Sequence, residues 1–180
     1  MSQTIDVTDD EVVLLDEGGN PIGRARKSAA HGPETALHLA FSCHVVNPLG
    51  EVLVTRRALS KQAWPGVWSN SFCGHPKPAE SLVAAVRRRA EFELGIELED
   101  IALALPLFRY RAVDANGTVE NEICPVYVAA TNDEPDPNPR EVAEYEWVLP
   151  GDLGRAVEAT PWAFSPWLAL QARELELFHV

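Results

Sequence analysis

Only two stretches of this chain carry a helical period, and nearly everything else reads as short strand-length runs punctuated by turn residues. From Ser81 to Leu94, Val83, Val86, Ala90 and Leu94 recur at helical spacing with charges elsewhere, and Gly95 stands just past the end as a C-cap. The second stretch runs from Pro166 to Phe178, with Ser165 placed to cap it and Pro166 at its first position. Strand candidates are Glu11 to Asp16 and Pro21 to Arg24 across the turn Gly18-Gly19-Asn20, then Ala36 to Val46 and Glu51 to Arg56 across Asn47-Pro48-Leu49-Gly50. Ile101 to Arg111 and Thr118 to Ala129 flank the turn Asp114-Ala115-Asn116-Gly117, and Glu144 to Val148 is shorter. Strands and helices are interspersed without the regular alternation of a parallel α/β fold, so the pattern predicts a mixed α+β sandwich.

A chain of 180 residues with 46% hydrophobic content can bury one substantial core and is short for two, so a single domain over 1–180 is expected. The Pro- and acid-rich stretch Asn132 to Arg140 reads as a loop between strands. No run approaches the roughly 20 apolar residues of a membrane span. The opening MSQTIDVTDDEVV is acidic where a targeting signal is basic, which points to the cytoplasm and away from membranes. Cys43, Cys73 and Cys124 cannot all pair and are expected to be reduced thiols.

The net charge of -12 leaves no surplus of positive charge for a general nucleic-acid binder. Against that background three basic clusters stand out: Arg24, Arg26 and Lys27; Arg56, Arg57 and Lys61; and Arg87 to Arg89. Together they suit a small anionic ligand, although each alone reads equally as a solvated charged face.

The run Ser71-Phe72-Cys73-Gly74-His75-Pro76 sets a thiol and an imidazole two residues apart, around a glycine expected to allow a tight turn that points both into one pocket. On Thr118 to Cys124, Glu120 and Glu122 project from the same face of a strand. Two such carboxylates repel unless a cation or a shared proton stabilises them, and an isolated pair is better read as exposed. His31 and His38, taken singly, read as ordinary polar residues, His44 and His179 as structural or exposed, and Trp68, Trp147 and Trp162 as core packing. Taken together, His31, His38, His75, Glu120 and Glu122 make a set of imidazoles and carboxylates whose nitrogen and oxygen donors suit Mn²⁺, Mg²⁺ or Zn²⁺.

Gly74 to Ile96, GHPKPAESLVAAVRRRAEFELGI, resembles the Nudix box, with Gly74, Glu80, Arg88, Glu93, Gly95 and Ile96 in register. Two positions where that box carries glutamate hold Arg89 and Phe92, which depletes the carboxylate cluster that Nudix hydrolases use to bind several metals and activate water. The whole set, with Cys73 two residues before His75, strongly resembles the type 1 isopentenyl diphosphate isomerases. HLAFS, VTRRALSKQAWPGVWSNSFCGHP, FRYRA, VENEICPV and ATPWAFSPW all look like that family, and the likeness runs from about Glu11 to Phe178.

The resemblance implies a Nudix-type mixed sheet sandwich flanked by helices, with its core over about 11–178. It also implies an isomerase that interconverts isopentenyl and dimethylallyl diphosphates by protonating one end of an allylic unit and deprotonating the other. By that likeness Cys73 and Glu122 are the acid and base, in an order left open, and Tyr110 assists proton delivery beside Glu122. His31, His38, His75, Glu120 and Glu122 would hold the first metal. Glu93 and the carbonyl of Cys73 would hold Mg²⁺ against the substrate's diphosphate. Lys27, Arg57, Lys61 and Arg89 would bind the diphosphate, and Trp167 would face the developing carbocation. The partner is then a small-molecule diphosphate and the protein a monomer. A Nudix diphosphate hydrolase and a catalytically silent Nudix-like binding domain are the rival readings.

Overall fold

The computed structural model describes residues 11–27 and 32–179. Among the described residues twelve strands are arranged in two sheets. They are β1 (Glu11–Leu15), β2 (Pro21–Arg26), β3 (His38–Leu39), β4 (Phe41–Val46), β5 (Val52–Arg57), β6 (Trp68–Ser69), β7 (Phe72–Gly74), β8 (Glu99–Leu105), β9 (Arg109–Val113), β10 (Val119–Ile123), β11 (Val126–Ala130) and β12 (Val142–Val148). One sheet runs β2-β1-β3-β10-β9. The other runs β12-β5-β4-β11-β8, with β6 added to β5 and β7 to β4. Pairing is antiparallel except where β3 meets β10 and β4 meets β11, so both sheets are mixed, as the α+β expectation requires.

Three segments expected as single strands are each divided between the sheets. Ala36 to Val46 becomes β3 and β4 around Ala40, Thr118 to Ala129 becomes β10 and β11 around Cys124 and Pro125, and Ile101 to Arg111 lies in β8 and β9 with Pro106 between. The three turn the corner side by side, tied by Ala40 N–H to the Ile123 carbonyl at 3.0 Å, Ser42 N–H to the Pro125 carbonyl at 3.1 Å and Cys124 N–H to the Phe108 carbonyl at 2.8 Å. Proline lacks the donor that a continuing ladder needs, which accounts for two of the breaks.

Helix α1 (Leu82–Leu94) starts at Ser81, whose hydroxyl accepts the Ala84 N–H, and stops at Gly95 with φ of 65°, a left-handed cap that disfavours a side chain. Its buried face is Ala85, Val86, Ala90, Glu93 and Leu94, whereas Val83, expected on that face, is exposed. Helix α3 (Pro166–Glu174) is capped by Ser165 as predicted and gives way to a short 3-10 turn, Glu176–Phe178. Helix α2 (Pro150–Ala159) was not anticipated: two glycines in PGDLGRAVEA weaken its intrinsic signal, and Leu149 offers no side-chain cap.

The larger sheet is covered on both faces, which is why β5 buries Val52, Leu53, Val54 and Thr55 in succession. Leu53 packs with Phe41, Phe72, Val86 and Leu94 under α1, while Val52 and Val54 pack with Trp64, Phe108, Trp167 and Leu168 on the side of α2 and α3. Trp162, expected in the core, is 83% exposed. Trp68 and Trp147 are half-buried against the two clusters. Among the described residues no helix is long and apolar enough to cross a membrane.

Candidate active site and metal centre

The sheet corner gathers the site. In the smaller sheet Glu122 of β10 stands opposite His38 of β3 on one side and Tyr110 of β9 on the other. Cross-strand partners share a face, and Glu120, two residues earlier on the same strand, is buried on that face too. The Tyr110 hydroxyl donates to Glu122 Oε2 at 2.9 Å. His75 Nε2 lies 3.0 Å from Glu122 Oε1, and His38 Nε2 lies 3.2 Å from His75 Nε2 and 3.4 Å from the same carboxylate oxygen.

His38 Nδ1–H donates to the Ala36 carbonyl at 2.9 Å, which fixes the tautomer and turns the other nitrogen's lone pair toward His75 and Glu122. Two imidazole nitrogens and a carboxylate oxygen within 4.8 Å of one another form a donor set suited to a divalent cation. Burial, opposed by the Glu122 hydrogen bond, pushes His75 down to about 3, so it presents the neutral form that ligates. Burial works against Glu122 ionising, but the His38 and His75 side chains beside its Oε1 outweigh it and hold the carboxyl well below its usual range. Burial and the neighbouring Glu122 charge raise the Tyr110 phenol well above its ordinary value. His31 lies outside the described residues.

The segment carrying Cys73 is a strand, not the expected tight turn: Cys73 of β7 pairs with Ser42 of β4 and Gly74 with Phe41. Gly74 serves close approach, since a Cβ there would meet Arg89 Cγ and the Phe41 ring at 2.8 Å. The Cys73 thiol donates to Asn70 Oδ1 at 3.2 Å and sits 3.3 Å from Ser42 Oγ. Asn70 is oriented by its amide, which donates to the carbonyls of Cys43 and Phe72, so its oxygen also takes the Trp167 indole N–H at 2.9 Å. Burial pushes the Cys73 thiol up to about 11, against the hydrogen bonds of Ser42 and Asn70.

Beside these groups opens a cavity of about 350 Å³. Cys73, His75, Tyr110, Glu120, Glu122 and Trp167 line it, together with the cations Lys27, Arg57, Lys61, Arg89 and Arg140. The Trp167 indole packs edge-on against Trp64, and the Arg57 guanidinium lies 5.3 Å from the Trp167 ring centre. Arg57 is fixed by bonds to the Ala63 carbonyl at 2.7 and 3.0 Å.

The Nudix-box residues divide between scaffold and site. Arg88 grips Glu80 through two hydrogen bonds of 2.7 and 2.8 Å and the His75 carbonyl at 3.2 Å, which fastens the loop after Gly74 to α1. Arg89 instead faces the site, its Nε donating to Glu93 at 3.0 Å.

A NUDIX domain model matches residues 36–169. An isopentenyl-diphosphate Delta-isomerase of Agromyces mediolanus is 68% identical over 91% of this chain and 80% of its own length. One from Kocuria rhizophila is 61% identical over 93% of each. This chain belongs to the isopentenyl-diphosphate Delta-isomerase family, within the Nudix fold. A solved protein of Deinococcus radiodurans shares the fold, with a TM-score of 0.72 at 23% identity over 93% of this chain and 99% of its own.

The described residues among those expected at an isomerase site all lie at or beside the cavity. Glu93 borders a smaller recess next to it, shared with Arg57, Lys61, Cys73 and Glu141. Sequence reasoning missed Asn70, Arg140 and Glu141. Glu141 pairs with Lys61 and lies 3.4 Å from Arg89, so it fills the cation cluster with an internal counter-charge. Its sequence surroundings, NPREVAE, where a loop runs into β12, give no hint of that partner set.

Proposed function

We propose that this protein interconverts isopentenyl diphosphate and dimethylallyl diphosphate, and that Cys73 and Glu122 are the two groups that exchange protons with the substrate. The observation that carries this reading is the shared cavity: a thiol and a carboxylate on different sheets line one pocket together with an indole and a group of cations. One group gives a proton to one end of the allylic unit, and the double bond moves by one position as the other group takes a proton from the opposite end. Nothing is added or lost overall. The electron deficiency that develops between the two steps faces the Trp167 indole, whose π-face attracts positive charge.

Tyr110 holds Glu122 at the oxygen remote from the imidazoles and completes the proton path. His38, His75, Glu120 and Glu122, with His31, are the residues that would hold Mn²⁺, Mg²⁺ or Zn²⁺. Glu93 and the Cys73 carbonyl would take a Mg²⁺ shared with the diphosphate. Such cations, when bound, supply positive charge that anchors the diphosphate and orients the carboxylate. Lys27, Arg57, Lys61 and Arg89 bind the diphosphate's remaining oxygens, which fixes the small hydrocarbon between Cys73 and Glu122. The same reading makes the protein a cytoplasmic enzyme that works as a monomer.

Incubation with isopentenyl diphosphate and Mg²⁺ in D₂O, followed by proton NMR, tests this. Dimethylallyl diphosphate carrying deuterium at carbon is the expected product. Unchanged substrate in a folded, metal-loaded sample overturns the reading, and phosphate release from a nucleoside diphosphate would move the chain to the hydrolases.

A further inference from the structure

Strand β4 alternates in an unusual way. Phe41, Cys43 and Val45 pack under α1, but the residues between them, Ser42 and His44, are polar, have no exposed surface and face α3. A polar side chain in such a place is destabilising unless it is hydrogen-bonded, and an apolar pair would fill the space without that requirement. On α3, Gln171 is likewise fully buried, one helical turn after Trp167.

The bonds among these groups run in one direction. His44 Nδ1 is buried with no hydrogen-bond partner, so a proton there would be an unsatisfied donor and the ring proton belongs on Nε2. His44 Nε2–H donates to Gln171 Oε1 at 2.8 Å. That orients the amide, and Gln171 Nε2–H donates to Ser42 Oγ at 2.9 Å. With its oxygen engaged as acceptor, Ser42 has its own proton left to give. Two sulfurs are in range, Cys73 at 3.3 Å and the buried Cys124 at 3.4 Å. One hydroxyl proton serves one sulfur at a time.

We infer that Ser42 is a positioning residue for the Cys73 sulfur, held as a hydrogen-bond donor by Gln171 and His44. The inference rests on the reading of Cys73 as a proton-transfer group. In the thiol form Cys73 gives its S–H to Asn70 and accepts from Ser42. When the proton passes from sulfur to substrate carbon, the sulfur keeps the electron pair of the S–H bond, and the Ser42 O–H is the neighbouring donor directed at it. The other end of the substrate gives its proton to Glu122; once that carboxyl releases it and sulfur takes one back the first state is restored, and Ser42, Gln171 and His44 keep their protons throughout. Helix α3 therefore reaches the thiol twice, through Trp167 to Asn70 and through Gln171 to Ser42.

The test compares Ser42→Ala, Gln171→Met and the double variant in steady-state assays of the metal-loaded protein. Ser42→Ala is expected to lower kcat by about 10- to 100-fold with KM unchanged, the range for a hydrogen bond to a charged group. Gln171→Met acts through Ser42, so it lowers kcat in the same direction and the double variant is no slower than Ser42→Ala within about twofold. Wild-type kcat in Ser42→Ala, or losses that multiply in the double variant, overturn the inference. Should Ser42→Ala melt below assay temperature, Ser42→Cys, similar in size and a weak donor, takes its place with the same expectation. A readout without substrate is the rate of Cys73 alkylation by iodoacetamide at one fixed pH, since Cys43 and Cys124 are buried. It is expected to slow about fivefold or more in Ser42→Ala. Wild-type protein that fails to isomerise while alkylation still slows would defeat the reaction and leave the network standing. An unchanged alkylation rate defeats the network.

Discussion

The guanidinium of Arg89 closes on the carboxylate of Glu93, one turn further along α1, through both Nε and Nη2. A Nudix hydrolase places glutamate where this arginine stands, so the same helix face offers an anion-binding fork in place of a further metal-binding carboxylate. Arg89→Gln is expected to raise KM for the diphosphate substrate by about 10- to 100-fold, the value of a charge-assisted bond. Steady-state kinetics at saturating Mg²⁺ measure it, and an unchanged KM would place Arg89 outside the binding set.

Cys73→Ala removes a group that lines the cavity and donates a single hydrogen bond, to Asn70. Its kcat should fall by roughly 10³-fold, within the range for loss of a positioned acid or base. Its melting temperature should stay within a few degrees of wild type. An undiminished turnover would return the chain to the hydrolase or binding-domain readings.

Tyr110→Phe deletes the 2.9 Å bond to Glu122 while keeping the ring packed against Phe108 and Trp167. The expected loss in kcat is about 10-fold, smaller than for Cys73, because Glu122 keeps its contact with His75. Equal deuterium incorporation per turnover in the variant and wild type would show that the path is slowed and not rerouted.

Stripping divalent metal should abolish activity, and Mn²⁺ or Mg²⁺ should restore it. The same ions should raise the melting temperature, because they bind the folded donor set and not the unfolded chain. At about 100 times the dissociation constant the gain is about 2.7 kcal/mol. His38→Ala is expected to lose that thermal shift, which calorimetry can follow without any substrate.

His44 supplies a pH dependence that does not involve the metal. Burial, partly opposed by the Gln171 hydrogen bond, lowers it from 6.5 to about 4. A histidine with a depressed folded value leaves the unfolded chain binding more protons between those two limits. Stability is therefore full above about pH 6.5 and falls as pH drops toward 4, by roughly 3 kcal/mol at most. Urea unfolding of wild type and His44→Gln at pH 7 and pH 5 tests this: the wild type should lose more than the variant.

Much of this was legible in advance, and the failures have physical causes. The helix from Ser81 and the last helix from Ser165 were marked by caps, and the hairpin around Asp114 to Gly117 by its turn residues, because local chemistry sets those features. Strand period says which residues share a face but not which sheet a strand joins, so the corners at Ala40 and Cys124 were read as continuous strands. Cys73, His75, Glu120 and Glu122 were singled out through the likeness to the family, and the fold brings them to one cavity. Asn70, Ser42 and Gln171 were not, since uncharged polar residues of this kind acquire a role only when distant segments meet.

The corner at which three chain segments pass from one sheet to the other also bears on how the molecule is assembled. His38 and Glu122, two members of the donor set, precede the bend, and Ser42, beside the Cys73 thiol, follows it. Each of the three segments gives a strand to both sheets, and the parallel pairings within them, β10 on β3 and β11 on β4, are distant in sequence. Unfolding should thus be cooperative across both sheets. A partly folded chain would have no partly built reaction centre, and the thiol and the carboxylate come within reach of one substrate only when the last of the fold is in place.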